Sequence, residues 1–174
     1  MSTSVSETKR AVATRRWVVD PSRSTVEFRV KHVWGLRTVT GCFTRFDGTY
    51  TAVDDGATLE LDIDASSLDT GNGQRDRHLR GADFFHVEQH PHVRFTSTHV
   101  SDLENGKLLV EGELEAAGKK APVSFEASRH YFGDDLEFEA TTTVDQRLLG
   151  MTYNALGTLR APSTLHVKAR LTPA

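Results

Sequence analysis

From Trp17 onward, apolar and polar residues alternate with a period of two, segment after segment. In Val26–His32, the residues Val26, Phe28, Val30 and His32 share one phase, and Glu27, Arg29 and Lys31 share the other. The same alternation runs through Leu59–Ala65, Leu108–Ala116, Val123–Ser128, Leu136–Val144 and Leu165–Leu171. Successive side chains of a strand point to opposite faces, so each segment predicts a strand with one apolar and one wet face. Weaker strands are predicted at Trp17–Asp20, Val39–Tyr50 and Val93–Val100. Turn chemistry separates them at Asp20-Pro21, Asp47-Gly48, Asp54-Asp55-Gly56, Asn105-Gly106 and Gly133-Asp134-Asp135.

The pattern is all-β and antiparallel. About eight strands, with no long amphipathic helix to cover them, must hide their apolar faces against one another. Closure into a barrel and packing as a sandwich both achieve this. Residues 66–92 break the alternation. They read as a loop, one short helix over Gln74–Arg80 ended by Gly81, and a turn before Pro91.

A chain of 174 residues corresponds to one domain. We expect a flexible tail over residues 1–15 and a β domain over 16–174. Residues 1–16 carry Lys9, Arg10, Arg15 and Arg16 against Glu7, while the remainder holds 17 basic and 23 acidic side chains. That acidic body argues against binding nucleic acid, which needs a basic face. Cys42 is the only cysteine, so the chain forms no intrachain disulfide and no cysteine-rich zinc site. No run approaches the roughly 18 apolar residues of a membrane span. The first 16 residues lack the apolar stretch of a secretory signal, so a cytoplasmic chain is expected.

Enzymatic motifs are nearly absent: no GxSxG elbow, phosphate loop, dinucleotide fingerprint or HExxH appears. Glu111, Glu113 and Glu115 alternate onto one solvated strand face. Cys42 reads as a small buried filler, or as a nucleophile if a histidine lies beside it. His86, His90 and His92, with His78 upstream, are surface histidines around a proline turn or a three-imidazole metal site. His32 falls in the apolar phase at a strand end. It is either satisfied by a backbone carbonyl or contacts a ligand head group at a cavity mouth. Arg75 and Asp76 are either a buried pair pinning the loop or, with His78, a cluster that recognises a polar or phosphorylated ligand end.

Taken together, several stretches resemble the YceI-like family of polyisoprenoid-binding proteins. The matching residues are Trp17-Val18-Val19-Asp20-Pro21, Ser24, Val26, Phe28 and Val30-Lys31-His32, then Val39, Gly41, Phe43 and Phe46-Asp47-Gly48. The most specific run is Ser67, Thr70, Arg75-Asp76, His78-Leu79 and Asp83-Phe84-Phe85, leading to Pro91, Phe95 and Ser97. Val144-Asp145, Arg147 and Gly150 match more loosely. The resemblance implies a single extended, lipocalin-like antiparallel β-barrel around a long apolar channel. It also implies an isoprenoid or similar long-chain amphiphile as ligand, and a homodimer. His86 and His90 stand where the family pattern has an acidic and an aromatic residue.

The expected function is non-enzymatic: sequestering or carrying such an amphiphile, with no cofactor and no catalytic residue. The expected ligand-binding residues on the wall are Phe28, Val30, Phe43, Leu61, Ile63, Phe84, Phe85, Phe95, Val110, Phe125 and Phe138. Arg75, Asp76, His78 and His32 are expected at the polar end. A metal-binding or sensing barrel using His86, His90 and His92 is the alternative, and an isoprenoid-processing enzyme built on Asp76 and His78 stands behind it.

Overall fold

The computed structural model of the protein describes residues 14–32, 37–151 and 162–174, without the side chains of His32 and Arg37. Each alternating segment forms a strand: β1 (Arg15–Val19), β2 (Thr25–His32), β3 (Arg37–Phe43), β4 (Phe46–Val53) and β5 (Gly56–Asp64), and the stretch expected as loop adds a two-residue strand, β6 (Leu68–Asp69), by pairing with β3. After the helix α1 (Gly73–Arg80) come β7 (His92–Asp102), β8 (Lys107–Ala116), β9 (Lys119–Phe132), β10 (Asp135–Val144) and β11 (Ser163–Pro173). The helix begins one residue before the expected Gln74, where the Asn72 side chain accepts from the Arg75 N–H, and Gly81 caps its end as expected. Residues 1–13 of the expected tail lie outside the described residues, and β1 already includes Arg15.

Neighbouring strands run in the order β1-β4-β5-β7-β8-β9-β10-β11, and β11 returns to β1, closing an eight-stranded antiparallel barrel. The sandwich alternative is thereby set aside. β11 serves two partners. Its Leu171–Pro173 pair with Trp17–Val19 of β1, and its Thr164–Lys168 pair with Thr25–Arg29 of β2. β3 then adds to β2, and β6 to β3, forming the wall above β1 and β4.

Two breaks make this possible, and side chains hold both. Between β1 and β2, the Asp20 carboxylate accepts from the Ser22 N–H (3.0 Å) and from Arg23 Nε (2.7 Å). Ser24 Oγ donates to the Asp20 carbonyl and accepts from the Arg170 N–H, tying the break to β11. The single strand expected over Val39–Tyr50 is in fact interrupted at Thr44-Arg45. There the backbone N–H groups of both residues donate to Ser67 Oγ, which itself donates to the Asp64 carbonyl. Pairing alternation carries no sign of this corner, because a buried serine from another element creates it.

The lower end of the barrel is packed solid. Trp17, Tyr50, Val100, Leu108, Val110, Leu136, Phe138 and Leu171 form one buried cluster. Tyr50 lies between Trp17 (ring centroids 5.7 Å apart) and Phe138 (4.9 Å). Its hydroxyl accepts from Arg129 Nη1 at 3.1 Å, so the polar end of the plug is satisfied. Outside, the strands carry ion pairs, Arg94–Asp62 directly across from β7 to β5 and Lys120–Glu113 on the diagonal from β9 to β8. Glu111 and Glu113 are exposed and Glu115 is half-buried.

Truncating the plug leaves a void that rigid strands cannot close. Leu108→Ala is expected to cost about 3 kcal/mol, read as a lower urea midpoint with unchanged slope. The outer face adds a pH dependence. Burial works to raise the Asp62 carboxyl, but hydrogen bonds from Arg94 and His92 outweigh it and hold the group below its ordinary 3.8. A carboxyl depressed on folding contributes stability that is complete above that ordinary value and lost as pH falls through the folded-state value. Asp62→Asn should therefore lose less melting temperature than the parent chain between about pH 5 and about pH 2, measured by circular dichroism.

Candidate functional site

Above the plug the inward positions become small or leave room, and a cavity of about 380 Å³ remains. Its walls are built from the apolar phase of nearly every strand. β2 contributes Val26, Phe28 and Val30, β3 contributes Phe43, and β5 contributes Leu61 and Ile63. Phe95 comes from β7, Phe125 from β9 and Phe138 from β10, where it forms the floor against the plug. These are the wall residues that the alternation predicts. Val110 is the exception: it is fully buried in the plug below the cavity and does not reach the wall. In-phase spacing identifies which face a residue takes, but depth along the barrel decides whether it meets a void.

Other wall residues went unassigned at the sequence level. Leu165 and Val167 of β11 complete the wall beside β2, and their alternation was already visible. Leu149, the last residue of a short turn of 3-10 helix after β10, and Met151 just beyond it also line the cavity. No periodicity marks that irregular stretch.

The α1 end of the cavity is assembled by the segment that breaks the alternation. Arg80 Nε donates to the Ser66 carbonyl at 2.9 Å and its Nη2 donates to the Leu68 carbonyl, which fastens the end of α1 to the wall. The chain beyond Gly81 folds back on the helix through Phe85 N–H to Leu79 O (3.0 Å) and Val87 N–H to Arg80 O (3.1 Å). This brings Phe84 and Phe85 onto the cavity, with Phe85 edge-on to Phe43 at 5.8 Å.

Arg75 and His78 are the nitrogen-bearing side chains that α1 contributes to the lining. The Arg75–Asp76 pair considered above does not form. Both residues grip Thr70 instead. Asp76, only 6% exposed, accepts from the Thr70 N–H (3.0 Å) and from its hydroxyl. Arg75 Nε donates to Thr70 Oγ1 and Nη2 to the Thr70 carbonyl, both at 2.8 Å. The carboxylate is thus consumed in holding the loop and lies off the cavity lining, while the guanidinium borders it. His78 stands 3.8 Å from Asp83 and edge-on to Phe84. Across the same end, Ser163 Oγ donates to Gln146 Oε1 at 3.0 Å, and both residues line the cavity. The His32 side chain lies outside the described residues.

The histidine group separates in three dimensions. The rings of His86 and His90 meet at 5.7 Å, but His92 turns to the outer face and contacts Asp62. Among the described residues, no group of three His, Cys, Asp or Glu side chains is placed to hold a metal ion. Cys42 faces outward on β3, opposite Glu27 and Asp69 in the register. Burial, then the carboxylates of Asp69, Glu27 and Asp76, push its thiol above the ordinary value, away from a reactive thiolate.

What these parts define is a β-barrel binding protein: an apolar cavity, closed below by the plug and bordered above by a few polar groups. The chain belongs to the YceI-like domain family, whose model matches residues 17–172. It is 34% identical over 131 residues to a UPF0312 protein of Shewanella denitrificans, covering 72% of this chain and 68% of that one. It is 37% identical over 113 residues to Protein YceI of Salmonella arizonae, covering 63% of this chain and 58% of that protein's length. Among solved structures it is similar to BcnA of Burkholderia cenocepacia, with a TM-score of 0.80 at 18% identity over 87% of this chain and 98% of that one. A polyisoprenoid binding domain of Saccharophagus degradans gives a TM-score of 0.74 at 12% identity, over 91% of this chain and 98% of that one.

The Thr70 anchor yields a direct test. Asp76→Ala strands a buried N–H and a hydroxyl, and should cost about 2 kcal/mol in urea unfolding. Thr70→Val keeps the backbone bond to Asp76 and should lose less.

Proposed function

We propose that this protein binds a long-chain isoprenoid amphiphile in the barrel and carries or sequesters it without chemical change. The observation that carries the reading is the cavity itself, walled by phenyl and aliphatic side chains from β2 to β11 with polar groups gathered at the α1 end. Its support is physical. Each CH₂ buried in such a wall contributes roughly 0.8 kcal/mol, against an association cost on the order of 4–15 kcal/mol. A short tail leaves little surplus, whereas a polyprenyl chain supplies many apolar carbons and needs only loose recognition of its head. The name of the Saccharophagus degradans domain points to the same ligand class.

In this reading the tail enters toward the Phe138 floor and the head remains beside Arg75, His78, Gln146 and Ser163. Arg75 offers a guanidinium fixed by Thr70, which suits an oxygen-bearing or anionic head. The cavity side chains bind, orient and exclude water, and no nucleophile or acid–base pair among them is assigned a bond-breaking role.

Native mass spectrometry of the protein purified without detergent, followed by solvent extraction, tests the reading. A bound apolar species released on unfolding is expected. Phe125→Asp, on the wall, should abolish its retention, while Glu126→Ala, its exposed neighbour on the outer face, should leave it unchanged. Equal retention in the two variants would overturn the assignment of the cavity as the binding site.

A further inference from the structure

Two of the cavity's phenyl rings rest against glycines of the opposing strand. Phe28 on β2 pairs across with Gly41 on β3. A Cβ added at Gly41 would stand 2.3 Å from Phe28 Cζ, 2.7 Å from its Cε1 and 2.8 Å from Thr70 Cγ2. On β8, half-way round the ring, a Cβ at Gly112 would stand 2.7 Å from each of two Phe95 ring carbons and 2.5 Å from the Thr96 carbonyl oxygen. Glycine within a strand marks a place where another group approaches the backbone closely. Here the group is a ring laid against the wall.

The two positions respond differently to a methyl group. At Gly112 the obstacle includes backbone, so the sheet itself would have to move. At Gly41 the three nearest atoms all belong to side chains. Of those side chains, Thr70 is held by Asp76 and Arg75 through its N–H, hydroxyl and carbonyl. Phe28 has no such tether, and Phe43 already occupies one flank with ring centroids 5.6 Å apart. The ring therefore yields, and the free direction is into the cavity. Gly41 and the phenyl it seats set the bore of the barrel just beneath the α1 end.

We propose that Gly41 is the specificity-determining position that lets the cavity take a methyl-branched isoprenoid chain, where a narrower bore would take only an unbranched one. This rests on the lipid-binding reading above and names the residue behind its substrate class. A polyprenyl chain carries a methyl on every unit and needs room beside its main chain at each level it passes. A straight alkyl chain does not. One methyl group in an apolar pocket is enough to discriminate at this level, by about tenfold or more.

The test compares geranylgeraniol with hexadecanol, alcohols of the same main-chain length and the same head group, each displacing anilinonaphthalene sulfonate from the folded protein. The parent chain should bind both. Gly41→Ala should bind geranylgeraniol about tenfold more weakly while hexadecanol stays unchanged. Adding Phe28→Leu to Gly41→Ala should restore the branched ligand, whereas adding Thr70→Ser should not. Should Gly41→Ala melt before it can be assayed, Phe28→Trp narrows the same level without touching β3 and should give the same selective loss. Equal weakening of both alcohols, no weakening, or rescue by Thr70→Ser in place of Phe28→Leu would overturn the inference while leaving the cavity as a lipid site. A parent chain from which neither alcohol displaces the dye would overturn the binding function itself.

Discussion

The hydrogen bonds of β11 decide whether this sheet closes. A sheet of this length presents two edges, each a row of unsatisfied N–H and C=O groups, and a barrel exists only if the last strand reaches the first. Here β11 bonds β10 along one side and divides the other between β1 and β2. The division needs the chain to step sideways between Val19 and Thr25. Asp20, Ser24 and the backbone of Arg170 make that step a fixed structure. Ser67 fixes the corresponding step between β3 and β4. With both steps in place the lower barrel is β1 against β4, the upper wall is β2 against β3, and the apolar phase of the strands is turned inward.

Closure alone does not produce a cavity. The lower inward positions hold Trp17, Tyr50, Leu108, Leu136, Phe138 and Leu171, which fill their level completely. Higher up, Ala116 and Ala140 line the space, and the large rings that are present lie against glycine or against each other. A lining with no atoms opposite it forfeits dispersion contacts that a filled core would have. The solid plug and the closed ring of ladders allow the fold to tolerate that loss, and an apolar ligand would restore the contacts. Stability and capacity are thus divided between the two ends of one barrel.

The upper end shows a comparable division among polar groups. Asp76 is spent on Thr70, deep in the loop, so its charge is answered before it can meet a ligand. Arg75 uses two donors on the same threonine yet keeps its place on the lining, as does His78. A shared threonine therefore lets a buried acid act as the anchor for a base that borders the cavity. In the proposed function, this arrangement orients a head group.

Much of this was readable in the sequence. Period-two alternation located the long strands to within a few residues, because each must wet one face and bury the other. The turns at Asp54-Asp55-Gly56 and Asn105-Gly106 were equally local, as was the short helix ended by Gly81, whereas Asp47-Gly48, expected as a turn, runs inside β4 paired with Asp62 and Leu61 of β5. Phe28, Phe43, Phe95 and Phe125 were identifiable as inward residues for the same reason. The level of each along the barrel was not, so Val110 was placed on the wall and belongs to the plug. The Thr44-Arg45 corner depends on Ser67, the grip of Arg75 and Asp76 on Thr70 depends on the turn before α1, and the departure of His92 from the other histidines depends on strand register. The amino-acid sequence by itself determined which face of each strand is apolar, since alternation is a property of neighbouring residues. Only the tertiary structure decided which inward side chains meet atoms and which meet space, because that depends on what the strands across the barrel place at the same height.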